Sequence, residues 1–182
     1  MKARVLKRKG DNAAAVALYS KLLEKDPQNW SYHDERGIAL WHMGKHNDAM
    51  LDFVEEQKFA KTAKQLNSGC YEKATANVGL EVALDECEKS LKLDPGASYI
   101  LDSRATVYLQ MGKYADAIRD FDSALQKSPR MVSSLMGRAI AKLRLGDLAG
   151  ARADVAAARK IDSRAIEYFQ NAGITVPQEL TT

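Results

Sequence analysis

Apolar and small residues recur at spacings of four and three along most of this chain. In the segment GKYADAIRDFDSALQKSP, Ala117, Phe121 and Ala124 fall on one face of a helix, and charged residues occupy the other. Gly112 precedes the helix and Pro129 follows it. Both are typical of helix boundaries, because glycine accepts positive φ and proline disfavours a helical residue before it. The pattern predicts an amphipathic helix that packs one face against a neighbour.

The same pattern returns with a period of 34 residues. The position of Phe121 is taken by Val155 one period later, by Phe53 two periods earlier and by Tyr19 three periods earlier. Upstream of each such helix lies a second helical pattern, as in YILDSRATVYLQMG. Each period therefore predicts two helices joined by tight turns, and the chain is predicted to be all-α.

Small residues at positions 8, 20 and 27 of the period, with proline at position 32, resemble the tetratricopeptide repeat. The clearest copy has Ala105, Ala117, Ala124 and Pro129 at these positions. The resemblance implies a right-handed α-solenoid of antiparallel helix pairs. The phrases LDECEKSLKL and MGRAIAKLRLGD are also similar to a group of bacterial tetratricopeptide proteins. The predicted units are 1–29 (incomplete at its start), 30–63, 64–97, 98–131 and 132–165, with a capping helix and tail at 166–182.

Three segments are expected to depart from the regular pattern. Unit 30–63 ends without proline, so its second helix is expected to run long or to bend. Unit 64–97 has Tyr71 where a small residue belongs, which predicts a local irregularity between about 57 and 80. A repeat array needs a terminal element that covers its last apolar face, and Ile166 and Phe169 fit that role. The final residues QELTT are expected to fray.

In tetratricopeptide arrays, positions 5, 9 and 12 of the first helices line a concave groove that binds peptides. The resemblance therefore assigns a binding role to these positions, and to Tyr99 at position 2. The residues so assigned are Asp34, Ile38, Trp41, Tyr99, Asp102, Thr106, Leu109, Met136, Ile140 and Leu143. Contiguous apolar side chains on such a surface are expected to be shielded from water by another segment or by a partner. Two alternatives stand: a groove open to a partner peptide, or side chains covered by an adjacent repeat or the terminal helix.

One class of ligand is disfavoured by the same positions. Chaperone-docking tetratricopeptide proteins hold a C-terminal carboxylate with lysine, asparagine and arginine at positions 2, 5, 6 and 9 of successive first helices. The matching residues here are Gln65, Ser68, Gly69 and Glu72 in one unit, and Tyr99, Asp102, Ser103 and Thr106 in the next. Because none of them is a cation, chaperone tails are not expected to bind.

Composition narrows the class of protein further. Hydrophobic residues make up 46% of the 182 residues and charged ones 28%, as in ordinary globular domains. The longest apolar run, AAAVAL, is too short to span a bilayer, so no membrane role is predicted. The first nine residues hold five cations, but no basic stripe with stacking aromatics follows. A solvated helix end is therefore preferred to a nucleic-acid site. The expected location is the cytoplasm, or the periplasm or outside the cell if a leader has been removed.

Catalysis is not supported by any motif in the sequence. Glycine-rich phosphate loops and nucleophile elbows are absent, and no cofactor is predicted. His42 and His46 have the spacing of a metal pair, but Gly44 interrupts the helix between them. No metal site is therefore expected.

The two cysteines leave two alternatives open. Cys70 and Cys87 occupy positions 7 and 24 of one unit, and both positions face the seam between its helices. They could form a disulfide in an oxidising compartment. Reduced thiols buried as small hydrophobes are the simpler interpretation.

These observations favour a non-catalytic module that binds a peptide segment of a partner protein in the concave groove. The alternatives are a structural self-assembly module that forms a homo-oligomer, and the regulatory portion of a larger protein. The sequence does not distinguish a monomer from a homodimer. The partner is expected to be a protein or peptide, and its identity is not encoded in any motif.

Overall fold

The computed structural model describes residues 2–171 and 174–181, and this part of the chain consists of helices without strands. The all-α prediction is confirmed, as is the arrangement in helix pairs. The chain divides into two compact units, Met1–Gly69 and Cys70–Thr182. The helices in the described residues are α1 (Lys2–Arg8), α2 (Asn12–Lys25), α3 (Trp30–His42), α4 (His46–Phe59), α5 (Ala63–Ala76), α6 (Leu80–Leu93), α7 (Ser98–Gln110), α8 (Tyr114–Lys127), α9 (Val132–Arg144), α10 (Leu148–Ile161) and α11 (Ala165–Asn171), followed by a 3-10 turn at Gln178–Leu180.

The 34-residue period of the sequence reappears in the helix bounds. The second helices of successive repeats, α2, α4, α6, α8 and α10, begin at residues 12, 46, 80, 114 and 148. Each of these helices is 14 residues long. The apolar face predicted for α8 is its buried face, since Ala117, Phe121 and Ala124 are fully buried.

Positive-φ residues close the tight turns inside the repeats. Gly112, between α7 and α8, has φ 74°, a conformation that side chains with a Cβ rarely adopt. The turn between α5 and α6 is built differently, with Asn77 at φ 54° and Gly79 at φ 52°. The irregularity expected in this unit therefore includes its turn.

Within the C-terminal unit, Phe121 of α8 packs directly on Gly137 of the next helix. A Cβ added to Gly137 would lie 2.2 Å from the Cζ atom of Phe121, closer than two carbon atoms can approach. The two helices approach closely because the ring occupies the space that a side chain at Gly137 would need.

Three of the repeats carry a partly buried arginine–aspartate pair that sequence analysis did not identify. In the clearest copy, Nε and Nη2 of Arg104 donate to the two carboxylate oxygens of Asp120 at 2.6 and 2.8 Å. Such bidentate geometry is the strong form of this ion pair. The same pairing joins Arg36 to Asp52 and Arg138 to Asp154.

The repeat at 64–97 replaces this pair with two other links between its helices. Cys70 stands at the arginine position and forms a disulfide with Cys87, with a Cα–Cα distance of 5.6 Å. Beside it, Nζ of Lys73 lies 3.0 Å from a carboxylate oxygen of Glu86, and both side chains are fully buried. The structure therefore has the disulfide, not the reduced thiols preferred in sequence analysis, because positions 7 and 24 face each other across the helix seam.

The second helix of unit 30–63 does not run long, although no proline follows it. A capping box begins the next helix: the side chain of Gln65 accepts the backbone N–H of Thr62 at 3.0 Å, and the Thr62 hydroxyl oxygen accepts the N–H of Gln65 at 3.2 Å. This reciprocal cap starts α5 at Ala63, so α4 ends at Phe59 without a proline.

The basic start of the chain is not simply a solvated helix end. Arg4 and Lys7 of α1 both form ion pairs with Glu35 of α3, whose side chain is buried. Burying a carboxylate requires such partners, because an isolated buried charge is costly.

The C-terminal segment packs more extensively than expected. Phe169 of α11 is buried, as a capping residue should be, and Ile166 is half-buried. The end of the chain is not frayed in its described part: residues 178–180 form a 3-10 turn, and Leu180 is 3% exposed. Leu180 and Val155 of α10 line one surface depression, so the tail extends the apolar core instead of leaving it. None of the described helices is long and apolar enough to cross a bilayer.

Candidate peptide-binding surface

The first helices α7 and α9 carry most of the residues assigned to the concave groove. Positions 5, 9 and 12 lie one helical turn apart and so share a face. In the C-terminal unit this face comprises Asp102, Thr106, Leu109, Met136, Ile140 and Leu143, with Tyr99 one turn earlier. Tyr99 is 40% exposed and Leu143 is half-buried, whereas the other five side chains are buried.

The apolar part of this face is covered by the C-terminal segment of the chain itself. Leu109, Met136 and Ile140 belong to one buried cluster that also contains Phe169, Ile174, Val176 and Leu180. Of the two alternatives for the apolar stripe, the structure therefore has coverage by the chain's own terminal segment. Leu109, Met136 and Ile140 do not form an open apolar patch, because residues after α10 occupy the space above them.

The groove residues of the N-terminal unit are also covered. Asp34 and Ile38 are buried, and Trp41 is half-buried. The indole of Trp41 stacks on the His46 ring with a centroid distance of 4.5 Å, and its centroid lies 6.4 Å from that of Phe53. Ile38 and Trp41 therefore contribute to packing and do not form an exposed apolar patch.

Two depressions flank Ile174 on the surface of the C-terminal unit. One, of about 290 Å³, is lined by Leu109, Ile140 and Arg144 on the helices and by Ile174 on the tail. The other, of about 200 Å³, is lined by Asp102 and Thr106 of α7 and again by Ile174. The tail thus divides the surface of α7 and α9 into two smaller sites.

Asp102 dominates the electrostatics of the second depression. The Ser134 hydroxyl donates to its Oδ1 atom at 2.5 Å. Burial raises the pKa of the Asp102 carboxyl, and the hydrogen bonds from Ser134 and Ser133 lower it by less. In the described part of the chain, no lysine, arginine or histidine forms an ion pair with Asp102.

Aromatic residues that sequence analysis did not assign to the site complete its walls. Tyr71 of α5 stands where other repeats have a small buried residue, and it is 39% exposed. Its neighbours Cys70 and Ala74 are fully buried instead, so the bulky ring lies outside the helix seam. Tyr168 and Phe169 of α11 form the facing wall. Tyr71 was noted in the sequence as a departure from the repeat, but its consequence for the site required the position of α11.

The repeated helix pairs, their 34-residue spacing and the small residues between them agree with a comparison to known families. The profile of the tetratricopeptide repeat matches residues 1–61 and 103–172, more than half of the chain. The chain belongs to the tetratricopeptide repeat family.

Curated relatives share with this tetratricopeptide chain only a small part of their own length. Hsp70-Hsp90 organizing protein 1 of Glycine max is 37% identical over 92 residues, which are 50% of this chain and 16% of that protein. The chain thus spans about a fifth or less of the length of the curated relatives that it matches.

Solved tetratricopeptide structures share the fold at low sequence identity. The type IV pilus biogenesis factor PilW aligns with a TM-score of 0.65 and 15% identity, covering 98% of this chain and 93% of PilW. The first tetratricopeptide domain of Spaghetti, bound to the HSP90 peptide SRMEEVD, aligns with a TM-score of 0.54 and 19% identity, covering 68% of this chain and 96% of that domain. These likenesses establish the fold alone.

The described residues of this tetratricopeptide protein do not contain a group of three or more His, Cys, Asp or Glu side chains placed to hold a metal ion. His42 and His46 are separated by the turn at Gly44, which has φ 74°. The residues brought together on the surface are instead aromatic, hydroxyl and carboxyl groups, which can bind a peptide by packing and hydrogen bonds.

Proposed function

We propose that this chain is a non-catalytic protein-interaction module that binds an extended peptide segment on the concave face of α7 and α9. The observation that carries the proposal is the course of the chain's own C-terminal segment. Residues 174–177 lack regular secondary structure, and Ile174 lies between the two depressions on this face. The face therefore accommodates a short irregular peptide, which is the ligand proposed for it.

A partner peptide would compete with this internal segment. Ile174 and Val176 are buried, so their side chains act as two apolar anchors. Burial of each is worth about 1.5–3 kcal/mol. A tethered segment also acts at an effective concentration of about millimolar. A free peptide with micromolar affinity would thus bind only weakly while the tail is in place.

The proposed ligand differs from an acidic chaperone tail. Spaghetti is bound to the HSP90 peptide SRMEEVD in its solved structure. The corresponding face of this chain has Asp102 and Thr106 where a carboxylate-binding surface needs cations. We therefore propose that peptides ending in acidic residues are not its partners, although Hsp70-Hsp90 organizing protein 1 is among its relatives.

The test releases the tail without removing it. In the full chain, Ile174→Asp combined with Val176→Asp places charges at two buried positions, whereas Thr175→Asp adds a charge at an exposed position and serves as the control. Binding of a fluorescein-labelled ITVPQELT peptide is followed by fluorescence anisotropy. The released variant is expected to bind it at least about tenfold more tightly than the wild type or the control.

Two outcomes of this experiment contradict the proposal. If the released variant keeps its helical circular dichroism and still does not bind the tail peptide, the face is not a peptide site. Equal affinity in the wild type and the released variant would mean that the tail does not occupy that site. The SRMEEVD peptide is expected not to bind any of the three proteins.

We also propose that the chain works in an oxidising compartment. The Cys70–Cys87 disulfide supports this proposal, because disulfides persist outside the reducing cytosol. This location was the alternative to the cytoplasm in sequence analysis. Thiol labelling of the denatured, unreduced protein from its native source tests the proposal: two free thiols per chain would place it in the cytoplasm.

A further inference from the structure

We infer that the depression beside Asp102 is a pocket for one cationic side chain, lysine or arginine, of a bound peptide. This inference rests on the proposed function and adds the class of residue that the partner presents. We call this depression the Asp102 pocket. It is bounded by Tyr71 of α5, Asp102 and Thr106 of α7, Val132 of α9, and Tyr168 and Phe169 of α11.

The size of the Asp102 pocket suits one side chain. Its volume is about 200 Å³. Sites for small-molecule ligands usually begin at about 300 Å³. A water molecule takes about 30 Å³ of the liquid, so the pocket has the space of about seven waters. An aliphatic stem carrying one charged group fits this space, whereas a whole folded element does not.

The charge of the Asp102 pocket has one sign. Asp102 is 7% exposed, and Asp162 also lines the pocket, while none of the described lining residues is lysine, arginine or histidine. The Ser134 hydroxyl donates a hydrogen bond to Oδ1 of Asp102. Because this hydroxyl is neutral, it does not compensate the negative charge of the carboxylate. A buried charge without a counter-charge is unfavourable, so an entering cation gains more here than at the surface.

The walls of the Asp102 pocket also favour a cation. Tyrosine rings attract cations to their faces, and Tyr71 and Tyr168 are both partly exposed. The guanidinium carbon of Arg164 already lies 4.8 Å from the ring centroid of Tyr168, although Arg164 does not line the pocket. Val132 and Phe169 supply apolar surface for the methylene stem of a lysine or arginine.

The position of Tyr71 explains why this repeat has the pocket. Its ring stands at a position that is a fully buried alanine in the next two repeats, at Ala105 and Ala139. The Cys70–Cys87 link takes over the packing of that seam, and the tyrosine faces the surface beside α7. The departure of this unit from the repeat pattern thus supplies a wall of the pocket.

The inference is tested with side-chain analogues on the full chain, so that neither tail displacement nor a peptide is needed. Butylammonium and propylguanidinium stand for lysine and arginine, and butyrate and butanol are the anionic and neutral controls. Two-dimensional amide NMR is expected to show saturable shifts near Thr106, Ser133 and Ala165 with the two cations only. Cationic shifts spread over the surface, or equal shifts with butanol, would overturn the inference.

Two substitutions assign the effect to the pocket. Asp102→Asn keeps the shape and the acceptor for Ser134, and it is expected to weaken butylammonium binding about tenfold or more, since the ligand loses a charge-assisted hydrogen bond. Asp116→Asn removes the same charge from α8, outside the pocket, and is expected to leave the affinity unchanged. Tyr71→Leu is expected to weaken binding by about two- to fivefold. Unchanged affinity in Asp102→Asn would refute the inference.

These outcomes are separable from those of the proposed function. If the tail peptide binds the released variant while the cations do not bind the wild type, the face is a peptide site and the cationic pocket is wrong. If the cations bind and the tail peptide does not, the pocket stands as a site for a cationic group, and the peptide-binding proposal fails.

Discussion

Loss of the Cys70–Cys87 disulfide should destabilise the repeat at 64–97 by an amount that follows from its position in the chain. The two cysteines are 17 residues apart in sequence and both are fully buried. Closing a loop of this size removes chain entropy from the unfolded state, and for about 15 residues the effect is about 3 kcal/mol at 25 °C. The reduced form should therefore be about 3 kcal/mol less stable.

The loss of stability can be measured as a decrease in the melting temperature. For a chain of this size, 1 kcal/mol shifts the midpoint by about 2–4 °C, so the expected decrease is about 6–12 °C. The protein is reduced in denaturant, because the sulfurs are buried, and is then refolded with reductant present. Thermal unfolding is followed by far-UV circular dichroism in the oxidised and reduced forms. The Cys70→Ala/Cys87→Ala variant is the control, and its midpoint should not respond to reductant.

Hydrogen exchange locates the effect along the chain. In repeat arrays each repeat contacts only its neighbours, so the loss of protection should concentrate in α5 and α6 and decline towards α10. Coincident melting curves for the oxidised and reduced wild type would refute the reasoning, because the loop would then contribute nothing. Equal loss of protection in α10 and in α6 would contradict its local character.

Three further predictions concern packing, charge and the tail. Gly137→Ala should lower the free energy of unfolding by about 1–3 kcal/mol in urea denaturation, since the new Cβ meets the Phe121 ring. Because Phe121→Leu removes that ring, the double variant should lose less stability than the sum of the two single variants. Asp102→Asn should stabilise the protein at neutral pH. The pKa of Asp102 in the folded state is raised above its usual value of 3.8, so the stability of the wild type falls as the pH rises between the unfolded-state and folded-state pKa values. The stability gained by Asp102→Asn should therefore vanish at a pH below both pKa values. A gain that does not depend on pH would contradict this prediction. Leu180→Ala should cost about 2 kcal/mol or more because the side chain is buried, whereas Glu179→Ala, at an exposed position, should cost little in the same urea titration.

Much of the fold could be predicted because its pattern is local and repeated. Glycine, small residues and one large residue recur with a period of 34, and the helices of the structure begin at the same interval. The repeat pattern also contains a signal for the arginine–aspartate pairs: Arg104 and Arg138 recur one period apart, and so do their partners Asp120 and Asp154. An arginine and an aspartate in register, 16 residues apart on antiparallel helices, indicate an ion pair across the seam.

The binding surface could be predicted only in part, because an apolar stripe does not say what covers it. Leu109, Met136 and Ile140 produce the same pattern under a guest peptide as under the chain's own tail. The segment that covers them, around Ile174, lies beyond the last repeat and has no period to place it.

The burial of the Asp102 carboxyl group was still harder to predict from the sequence. A polar residue at position 5 of a first helix is unremarkable, and it becomes a buried charge only when α11 and Ile174 close the space above it. Folding a cover over an unpaired carboxylate costs stability, since neither the tail nor the adjacent helix supplies a cation. A side chain that serves packing alone would not need that charge. The loss of stability is therefore explained if Asp102 belongs to a binding site, where a cation from a partner would offset the unfavourable burial of its charge.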